Sequence, residues 1–269
     1  MNIFITGGSS GIGKYLANAL SKENKVLTCS RSSKNSFLKI KNPNITNYLC
    51  DIANENSVIK LTKKLKNKKI DVIINCAGIY GSIGKFYNID FSKWKNAIET
   101  NFFGTYLICK HFLIFLKKSK VKKIINFAGG GAFNSFPNYS SYATSKAAVV
   151  RFTETIAEEL KSKKISANCI APGFVATNIH KKTIRSGPQK CGKKFYNTTL
   201  KKLKNGGTPL KKIYNCIIFL ISNKSKLLNG KTISVNFDPW DKEIFKNKIK
   251  SIKNSDALTM RRINIKNIV

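Results

Sequence analysis

Short apolar runs alternate with longer amphipathic stretches along the chain. The first apolar run, residues 3–5, is followed by Ile12, Leu16 and Leu20 at helical spacing, and residues 26–29 form the next run. Short apolar runs predict buried strands, whereas apolar residues three to four positions apart predict one face of a helix. The chain is therefore predicted to open with a strand, a helix and a second strand.

The same alternation continues to about residue 237. Further strands are predicted at residues 48–50, 71–75, 124–127, 165–170 and 232–237, and the clearest helices at residues 94–116, 141–160 and 210–221. Strands that alternate with helices pack as parallel strands joined by right-handed crossovers. We therefore predict an α/β fold: one domain, residues 1–240, with a doubly wound parallel sheet of the Rossmann type in three α/β/α layers.

Two segments depart from this alternation. Residues 174–208 contain Gly187-Pro188, Gly192 and Gly206-Gly207 among many lysines, and a long connection of this kind predicts a lid over an active site. Residues 241–269 are basic and only weakly periodic, so we predict a basic peripheral tail at the carboxyl end.

The formal net charge of +36 arises from 49 Lys and Arg residues against 13 Asp and Glu residues. Most of these cations are lysines spread over the predicted helices, without the stripe of arginines and aromatic residues that is typical of nucleic-acid binding. This distribution argues against a nucleic-acid partner. Because a positive field attracts anions, we expect a small-molecule substrate that is anionic or polar.

Seven cysteines occur singly, without a C-x-x-C pair, which predicts a reducing compartment and no metal site. The chain begins with a predicted strand rather than a signal peptide. The most apolar long segment, residues 102–116, is interrupted by Lys110 and is shorter than a membrane span requires. We therefore expect a cytoplasmic protein without a membrane partner.

A glycine-rich loop lies between the first strand and the first helix, with the sequence TGGSSGIG at residues 6–13. The first turn of a helix offers unpaired N–H groups and a positive dipole end, and glycines allow a diphosphate to approach the backbone. We predict that the loop binds the diphosphate of a dinucleotide. The candidate residues are Thr6, Gly7, Ser9, Ser10, Gly11, Ile12 and Gly13.

The spacing of this loop resembles the T-G-x-x-x-G-x-G fingerprint of the short-chain dehydrogenase/reductase family. Further family-like elements follow in order, over residues 1–237: Asp51-Ile52, Asn-Cys-Ala-Gly at residues 75–78, Asn101, Tyr-Ala-Thr-Ser-Lys at residues 142–146, and Pro-Gly-Phe-Val-Ala-Thr at residues 172–177. The resemblance implies an NAD(P)-dependent oxidoreductase that interconverts an alcohol and a carbonyl by hydride transfer. It also implies a homodimer or homotetramer.

The resemblance extends to individual cofactor contacts. It implies that Asp51 contacts the adenine, that the segment around Asn75 passes the adenosine ribose, and that Thr177 meets the carboxamide and the diphosphate. The complete set that it assigns to the cofactor beyond the glycine loop is Asp51, Ile52, Asn75, Ala77, Gly78, Tyr142, Lys146, Pro172, Gly173, Val175 and Thr177.

The end of the second strand bears on the choice between NAD and NADP. An NAD enzyme usually places Asp or Glu there to bind the ribose hydroxyls, but this chain has Ser30 and Arg31, followed by Ser32, Ser33 and Lys34. Hydroxyl and basic groups suit a 2′-phosphate. We therefore predict NADP(H) rather than NAD(H).

Tyr142 and Lys146 stand four residues apart at the start of a predicted helix, so both side chains project from one face. A neighbouring ammonium favours the ionised phenol and is expected to lower its pKa. The resemblance implies that Tyr142 exchanges the alcohol proton, that Lys146 also holds the nicotinamide ribose, and that Asn101 anchors a water. These three residues are the candidate catalytic set.

The family's catalytic serine normally stands thirteen residues before the tyrosine, and here that position is Gly129, in the run Gly129-Gly130-Gly131. This run resembles a bacterial branch of the family. Three interpretations remain: another donor replaces the serine, the glycines widen the pocket for a bulky substrate, or the protein is a catalytically impaired NADP-binding pseudo-enzyme.

The lid carries the basic residues Lys181, Lys182, Arg185 and Lys190, which favour a polar or phosphorylated, sugar-like substrate. A 3-oxoacyl-carrier-protein reductase is the alternative, because an acidic carrier protein is also attracted to a basic surface.

Overall fold

The computed structural model describes residues 1–31 and 42–261 of the chain. Within these residues, seven strands form one parallel sheet in the order β3-β2-β1-β4-β5-β6-β7. The strands are β1 (Asn2–Thr6), β2 (Lys25–Ser30), β3 (Ile45–Leu49), β4 (Val72–Asn75), β5 (Lys123–Phe127), β6 (Ser166–Ala171) and β7 (Thr232–Ser234). The strand order reverses between β1 and β4, which opens a crevice at the carboxyl ends of these two strands.

Nine α-helices pack around this sheet in the described part of the chain. They are α1 (Gly11–Leu20), α2 (Glu55–Lys64), α3 (Phe91–Ile98), α4 (Gly104–Lys117), α5 (Ser140–Glu159), α6 (Ile179–Cys191), α7 (Lys193–Asn205), α8 (Leu210–Ile221) and α9 (Glu243–Lys253). The helix predicted at residues 94–116 is divided by a π-helical turn, Glu99–Phe103, between α3 and α4. None of the helices described is long and apolar enough to cross a membrane.

The side chains of successive residues in each strand point to opposite faces of the sheet. On β1, Ile3 and Ile5 pack into a core shared with Leu16 of α1 and Ile217 of α8. Phe4 points to the opposite face, where its ring lies 4.3 Å from that of Phe112 in α4. Helices thus cover both faces, and the predicted doubly wound, three-layer α/β fold is confirmed.

The segment predicted as a lid folds into the helix pair α6 and α7. Helix α6 is kinked at Gly187, whose φ of 72° and ψ of 166° are not helical and which stands directly before Pro188. An antiparallel bridge between Val175 and Gly207 joins the two ends of the segment. The segment predicted as a lid is therefore a pair of helices whose two ends are joined by this bridge.

The carboxyl-terminal segment is more ordered than the sequence suggested. Phe245 of α9 is buried, with its ring 6.0 Å from that of Phe219 in α8, and Ile249 and Ile252 pack against the same core. The N–H of Thr232 donates to the carbonyl of Leu258. The helical spacing of these apolar residues, which stand among lysines, explains the packing. Residues 262–269 of the predicted tail lie outside the described residues.

Candidate active site

A cleft of about 740 Å³ opens where β1, β4, β5 and β6 end. Most of the predicted cofactor and catalytic residues lie on its walls. Those that line it are Gly7, Ser9, Ser10, Gly11, Ile12, Gly13, Ser30, Arg31, Ile52, Ala77, Gly78, Tyr142, Lys146, Pro172, Gly173, Val175 and Thr177. The cleft does not include Thr6, Asp51, Asn75 and Asn101 among its lining residues.

The glycine loop has the geometry of a diphosphate cradle. Gly7 and Gly11 adopt φ angles of 73° and 53°, which favour glycine. A Cβ on Gly13 would lie 2.4 Å from the carbonyl oxygen of Gly7, so glycine is required where α1 packs on the loop. Ser10 is the N-cap of α1, but its side chain makes no capping hydrogen bond. The first-turn N–H groups of α1 therefore face the cleft uncapped, which fits an anionic diphosphate.

Thr177 approaches the same loop from the other side of the cleft. A Cβ on Gly11 would lie 3.5 Å from the Cβ of Thr177, which is ordinary van der Waals distance. Thr177 therefore lies beside the predicted diphosphate loop, and its contact with the diphosphate stays a prediction.

The adenosine end of the cleft is lined by Ser30 and Arg31 at the end of β2. Arg31 is exposed, and no Asp or Glu is found among the described residues that line the cleft. Asp51 lies to the side, where its Oδ1 accepts a hydrogen bond of 3.0 Å from the N–H of Ala53. The predicted residues Ser32, Ser33 and Lys34 lie outside the described part of the chain.

Two of the predicted site residues, Thr6 and Asn75, lie behind the cleft wall and hydrogen-bond neighbouring segments. Thr6 Oγ1 accepts a hydrogen bond of 3.0 Å from the N–H of Ala77. Asn75 Nδ2 donates to Asn126 Oδ1 at 2.9 Å on β5. Because these bonds connect the ends of β1, β4 and β5, Thr6 and Asn75 fix the loop that carries Ala77 and Gly78 into the cleft.

Asn101 is also buried, in the π-helical turn directly behind the cleft wall, where a Cβ on Gly78 would lie 3.3 Å from its Oδ1. Its Oδ1 accepts from the N–H of Ile79 at 2.8 Å, while its Nδ2 donates to the carbonyl of Ile79 and to Ser145 Oγ, each at 2.9 Å. The Asn101 carbonyl accepts from Thr105 Oγ1 at 2.8 Å. Asn101 therefore ties the loop after β4 to α5, and its side chain is committed to that task.

Tyr142 and Lys146 lie on the first two turns of α5 and both line the cleft. Lys146 Nζ donates to the carbonyl of Phe127 at 2.8 Å and stands 6.0 Å from the centre of the Tyr142 ring. Burial raises the pKa of Tyr142 and lowers the pKa of Lys146. The expected lowering of the Tyr142 pKa by the ammonium is thus wrong in this arrangement, because burial dominates and the ammonium lies against a carbonyl.

Gly129 occupies the position that the family assigns to its serine, next to the tyrosine. An ideal Cβ on Gly129 would lie 2.2 Å from Tyr142 Oη and 2.9 Å from Tyr142 Cζ. The Tyr142 hydroxyl therefore fills the space that a side chain at residue 129 would need. Of the nearby serines, Ser140 Oγ accepts from Trp94 Nε1 at 2.9 Å and is not among the lining residues.

Several lining residues were not singled out as site residues from the sequence. An aromatic wall surrounds Tyr142, and two lysines of the lid helices stand at the mouth. The residues that the sequence did not single out are Tyr80, Phe136, Phe174, Phe195 and Lys202, whereas Lys182 is one of the basic lid residues named from the sequence and His180 also lines the cleft. Tyr80 is only two residues beyond Gly78, and this proximity to the family-like segment could have identified it as a site residue. The residues of α6 and α7 reach the cleft only through the fold of these helices.

Comparison with known proteins identifies the family of the chain. The model of the short chain dehydrogenase family matches residues 1–187. A 3-oxoacyl-[acyl-carrier-protein] reductase from Synechocystis is 32% identical over 184 residues, covering 65% of this chain and 74% of the relative. One from Buchnera aphidicola of Acyrthosiphon pisum is 26% identical, covering 87% of this chain and 94% of the relative.

Solved structures show the same fold. The aldohexose dehydrogenase of Thermoplasma acidophilum superimposes with a TM-score of 0.74 at 22% identity, covering 87% of this chain and 91% of that chain. The chain belongs to the short chain dehydrogenase family, as its motifs predicted. It is therefore an oxidoreductase that acts on CH–OH groups, in a family that uses NAD(P)(H).

Proposed function

We propose that the protein is an NADPH-dependent reductase of a small carbonyl compound, with Tyr142 as the proton donor and Lys146 beside it. The observation that carries this proposal is the continuity of one cleft from Arg31, past the uncapped start of α1, to Tyr142 and Lys146. When bound, the cofactor supplies the hydride. Arg31 and Ser30 hold the 2′-phosphate, and the glycine loop holds the diphosphate.

The chain's own residues account for the proton. Tyr142 Oη donates its proton to the substrate oxygen as the carbonyl becomes an alcohol, and the phenol is then reprotonated from solvent. An ammonium at Lys146, which is buried beside the ring, offsets part of the effect of the burial that raises the pKa of the Tyr142 phenol. In the reverse direction Tyr142 accepts the alcohol proton.

The cleft supports a substrate that has an apolar portion and an anionic group. Aromatic residues surround Tyr142, while Lys182 and Lys202 are exposed cations on the lid helices. A 3-oxoacyl thioester on an acidic carrier protein has both features, and the relatives described above are named for this reaction. A phosphorylated sugar-like compound is the second candidate, supported by the same cations but not by the aromatic wall.

We also propose a homodimer or homotetramer formed through α4 and α5. Phe103, Tyr106 and Ile114 are large apolar residues that remain exposed on or next to α4. Exposed apolar patches of this kind are typical of protein interfaces.

The cofactor proposal is tested by titrating the protein with NADPH and NADH and following nicotinamide fluorescence. We expect wild-type protein to prefer NADPH by at least tenfold, and Arg31→Ala to lose most of this preference. Lys25→Ala, an exposed cation at the start of the same strand that does not line the cleft, is the matched control. Equal affinity for both nucleotides would contradict the choice of NADPH.

The reaction is tested with acetoacetyl-N-acetylcysteamine and a phosphorylated ketose as carbonyl probes, following NADPH oxidation. We expect Tyr142→Phe to lower turnover at least a hundredfold while NADPH binding is retained, because only the transferable proton is removed. Tight NADPH binding without turnover of either probe would instead support the pseudo-enzyme.

A further inference from the structure

Tyr80 and His180 form a buried polar pair on the wall of the cleft. Tyr80 follows β4, and His180 lies in the first turn of α6 in the lid. Tyr80 Oη and His180 Nδ1 are 3.1 Å apart, and the two residues are only 6% and 5% exposed. The His180 ring is also stacked on Phe174 at 3.8 Å. Contacts on two sides therefore fix the imidazole against the phenol.

This pair stands directly beside the candidate proton donor. The rings of Tyr80 and Tyr142 meet edge to face, with their centres 4.8 Å apart at 81°. Both line the same cleft, together with His180 and Gly129. A second phenol ring thus packs directly against Tyr142, whose own hydroxyl adjoins Gly129.

His180 also hydrogen-bonds the backbone of Val175, and the pair can donate to a substrate in one of the two imidazole tautomers. Burial lowers the pKa of His180 to about 4, so the imidazole is neutral at pH 7 and carries one N–H. Burial raises the pKa of Tyr80, which keeps its phenol protonated. When the His180 proton is on Nδ1, it donates to Tyr80 Oη and leaves the phenol proton free for an acceptor in the cleft.

We propose that Tyr80, oriented by His180, is the second hydrogen-bond donor to the substrate oxygen and replaces the hydroxyl that is missing at Gly129. The inference rests on the proposed reductase function. Tyr80 is then a catalytic residue, because it touches the substrate oxygen as negative charge develops there. His180 is a positioning residue, and since it belongs to α6, the lid must be in place for Tyr80 to be aligned.

The test compares Tyr80→Phe with Tyr139→Phe. Tyr139 is also a buried phenol of the same aromatic cluster, with its ring 5.1 Å from that of Tyr80, but its hydroxyl bonds to Thr183 Oγ1 and it does not line the cleft. With acetoacetyl-N-acetylcysteamine and 9,10-phenanthrenequinone as carbonyl probes, we expect Tyr80→Phe to lower kcat about 10- to 100-fold, the effect of removing one donor to a developing oxyanion. Tyr139→Phe is expected to stay within about threefold of wild type.

The role of His180 is tested by rescue. His180→Ala is expected to lower kcat about tenfold without changing NADPH affinity, whereas His180→Asn, whose amide places a donor near the position of Nδ1, is expected to recover most of the loss. In Tyr80→Phe protein, His180→Ala should add no further loss, because the two residues act as one unit.

The outcomes separate this inference from the proposed function. If Tyr142→Phe abolishes turnover but Tyr80→Phe behaves like Tyr139→Phe, the role of Tyr80 is overturned while the reductase stands. If wild-type protein binds NADPH but reduces neither probe, or if Tyr142→Phe has full activity, the proposed function is overturned and the role of Tyr80 falls with it.

Discussion

Gly129 and Tyr142 form a steric pair at the centre of the site. Because a Cβ at residue 129 would lie 2.2 Å from Tyr142 Oη, any side chain there displaces the phenol from its place among Tyr80 and Phe136. The Tyr142 hydroxyl thus occupies the space that a serine at residue 129 would need, and we expect that introducing this serine does not restore the family's arrangement.

We therefore expect Gly129→Ser to lower turnover at least tenfold rather than raise it. Gly129→Ala should do the same, because the clash begins at Cβ. Gly130→Ala is the matched control: its Cβ would meet only Phe136 at 3.6 Å, an ordinary contact. Steady-state rates with acetoacetyl-N-acetylcysteamine measure the effect. A gain of activity in Gly129→Ser would refute the steric argument.

At this scale the sequence predicted the residues that belong to local motifs. The predicted loop residues after Thr6, together with Arg31, Tyr142 and Lys146, reach the cleft, because each is positioned by its own strand end or helix turn. The Tyr80–His180 contact joins residues 100 positions apart. Neither this contact nor the pKa of Tyr142 could be predicted from spacing, since both depend on which distant side chains exclude water.

Among the secondary-structure elements, α9 is attached to the domain through a few apolar residues. Phe245 is 4% exposed and packs on Phe219, whereas its neighbour Ile244 is 55% exposed. We expect Phe245→Ala to lower the free energy of unfolding by about 3–4 kcal/mol, the usual cost of truncating a buried phenylalanine. Ile244→Ala should change it by less than about 0.5 kcal/mol. Urea denaturation followed by circular dichroism measures both free energies of unfolding. Equal values for the two variants would show that α9 is not part of the core.

Asp71, directly before β4, connects three segments at the amino ends of the strands. Its carboxylate accepts from the N–H of Asn2 at 2.7 Å and from Ser119 Oγ at 2.5 Å, and it lies 3.4 Å from Lys69 Nζ. Burial raises the pKa of Asp71, but these hydrogen bonds and the lysine charge outweigh it, so the folded-state pKa is lowered. The carboxylate therefore stabilises the fold above its unfolded pKa of about 3.9, and this contribution is lost as the pH falls through the lower, folded pKa.

We expect Asp71→Asn to lower the free energy of unfolding by about 2 kcal/mol at pH 7, the scale of charged hydrogen bonds left unmade. The difference from wild type should narrow as the pH falls below about 4. Asp241→Asn, at an exposed acid before α9, should show neither effect. Guanidinium titrations at several pH values provide the measurement, and a difference that does not change with pH would exclude the linkage.

Hydrophobic periodicity predicted the order and type of most helices and strands. It did not predict the helices of two segments. The lid helices α6 and α7 have apolar positions diluted by lysine and glycine, so their pattern was weak although both helices form. In α9, Phe245, Ile249 and Ile252 carry the buried face, and the surrounding lysines masked it. Both cases show tertiary burial selecting helices that local pattern alone leaves ambiguous.

For the molecule as a whole, the charge of +36 acts on anything that enters the cleft. No acid is present among the described residues that line it, whereas Arg31, Lys146, Lys182 and Lys202 do line it. The long-range field and the local cations therefore have the same sign, and they favour whichever ligand carries more negative charge. NADPH carries a phosphate that NADH lacks, so part of its preference should come from the field and part from Arg31.

Salt separates these two contributions. The Debye length falls from about 10 Å at 0.1 M to about 3 Å at 1 M ionic strength, which screens the distant lysines but leaves a direct contact largely intact. We expect NaCl to weaken NADPH binding more steeply than NADH binding, while a residual NADPH preference persists at 1 M in wild-type protein and vanishes in Arg31→Ala. Fluorescence titrations across this salt range give both slopes. Parallel slopes for the two nucleotides would show that the lysine-rich surface plays no part in cofactor selection and that any preference belongs to the residues at the end of β2.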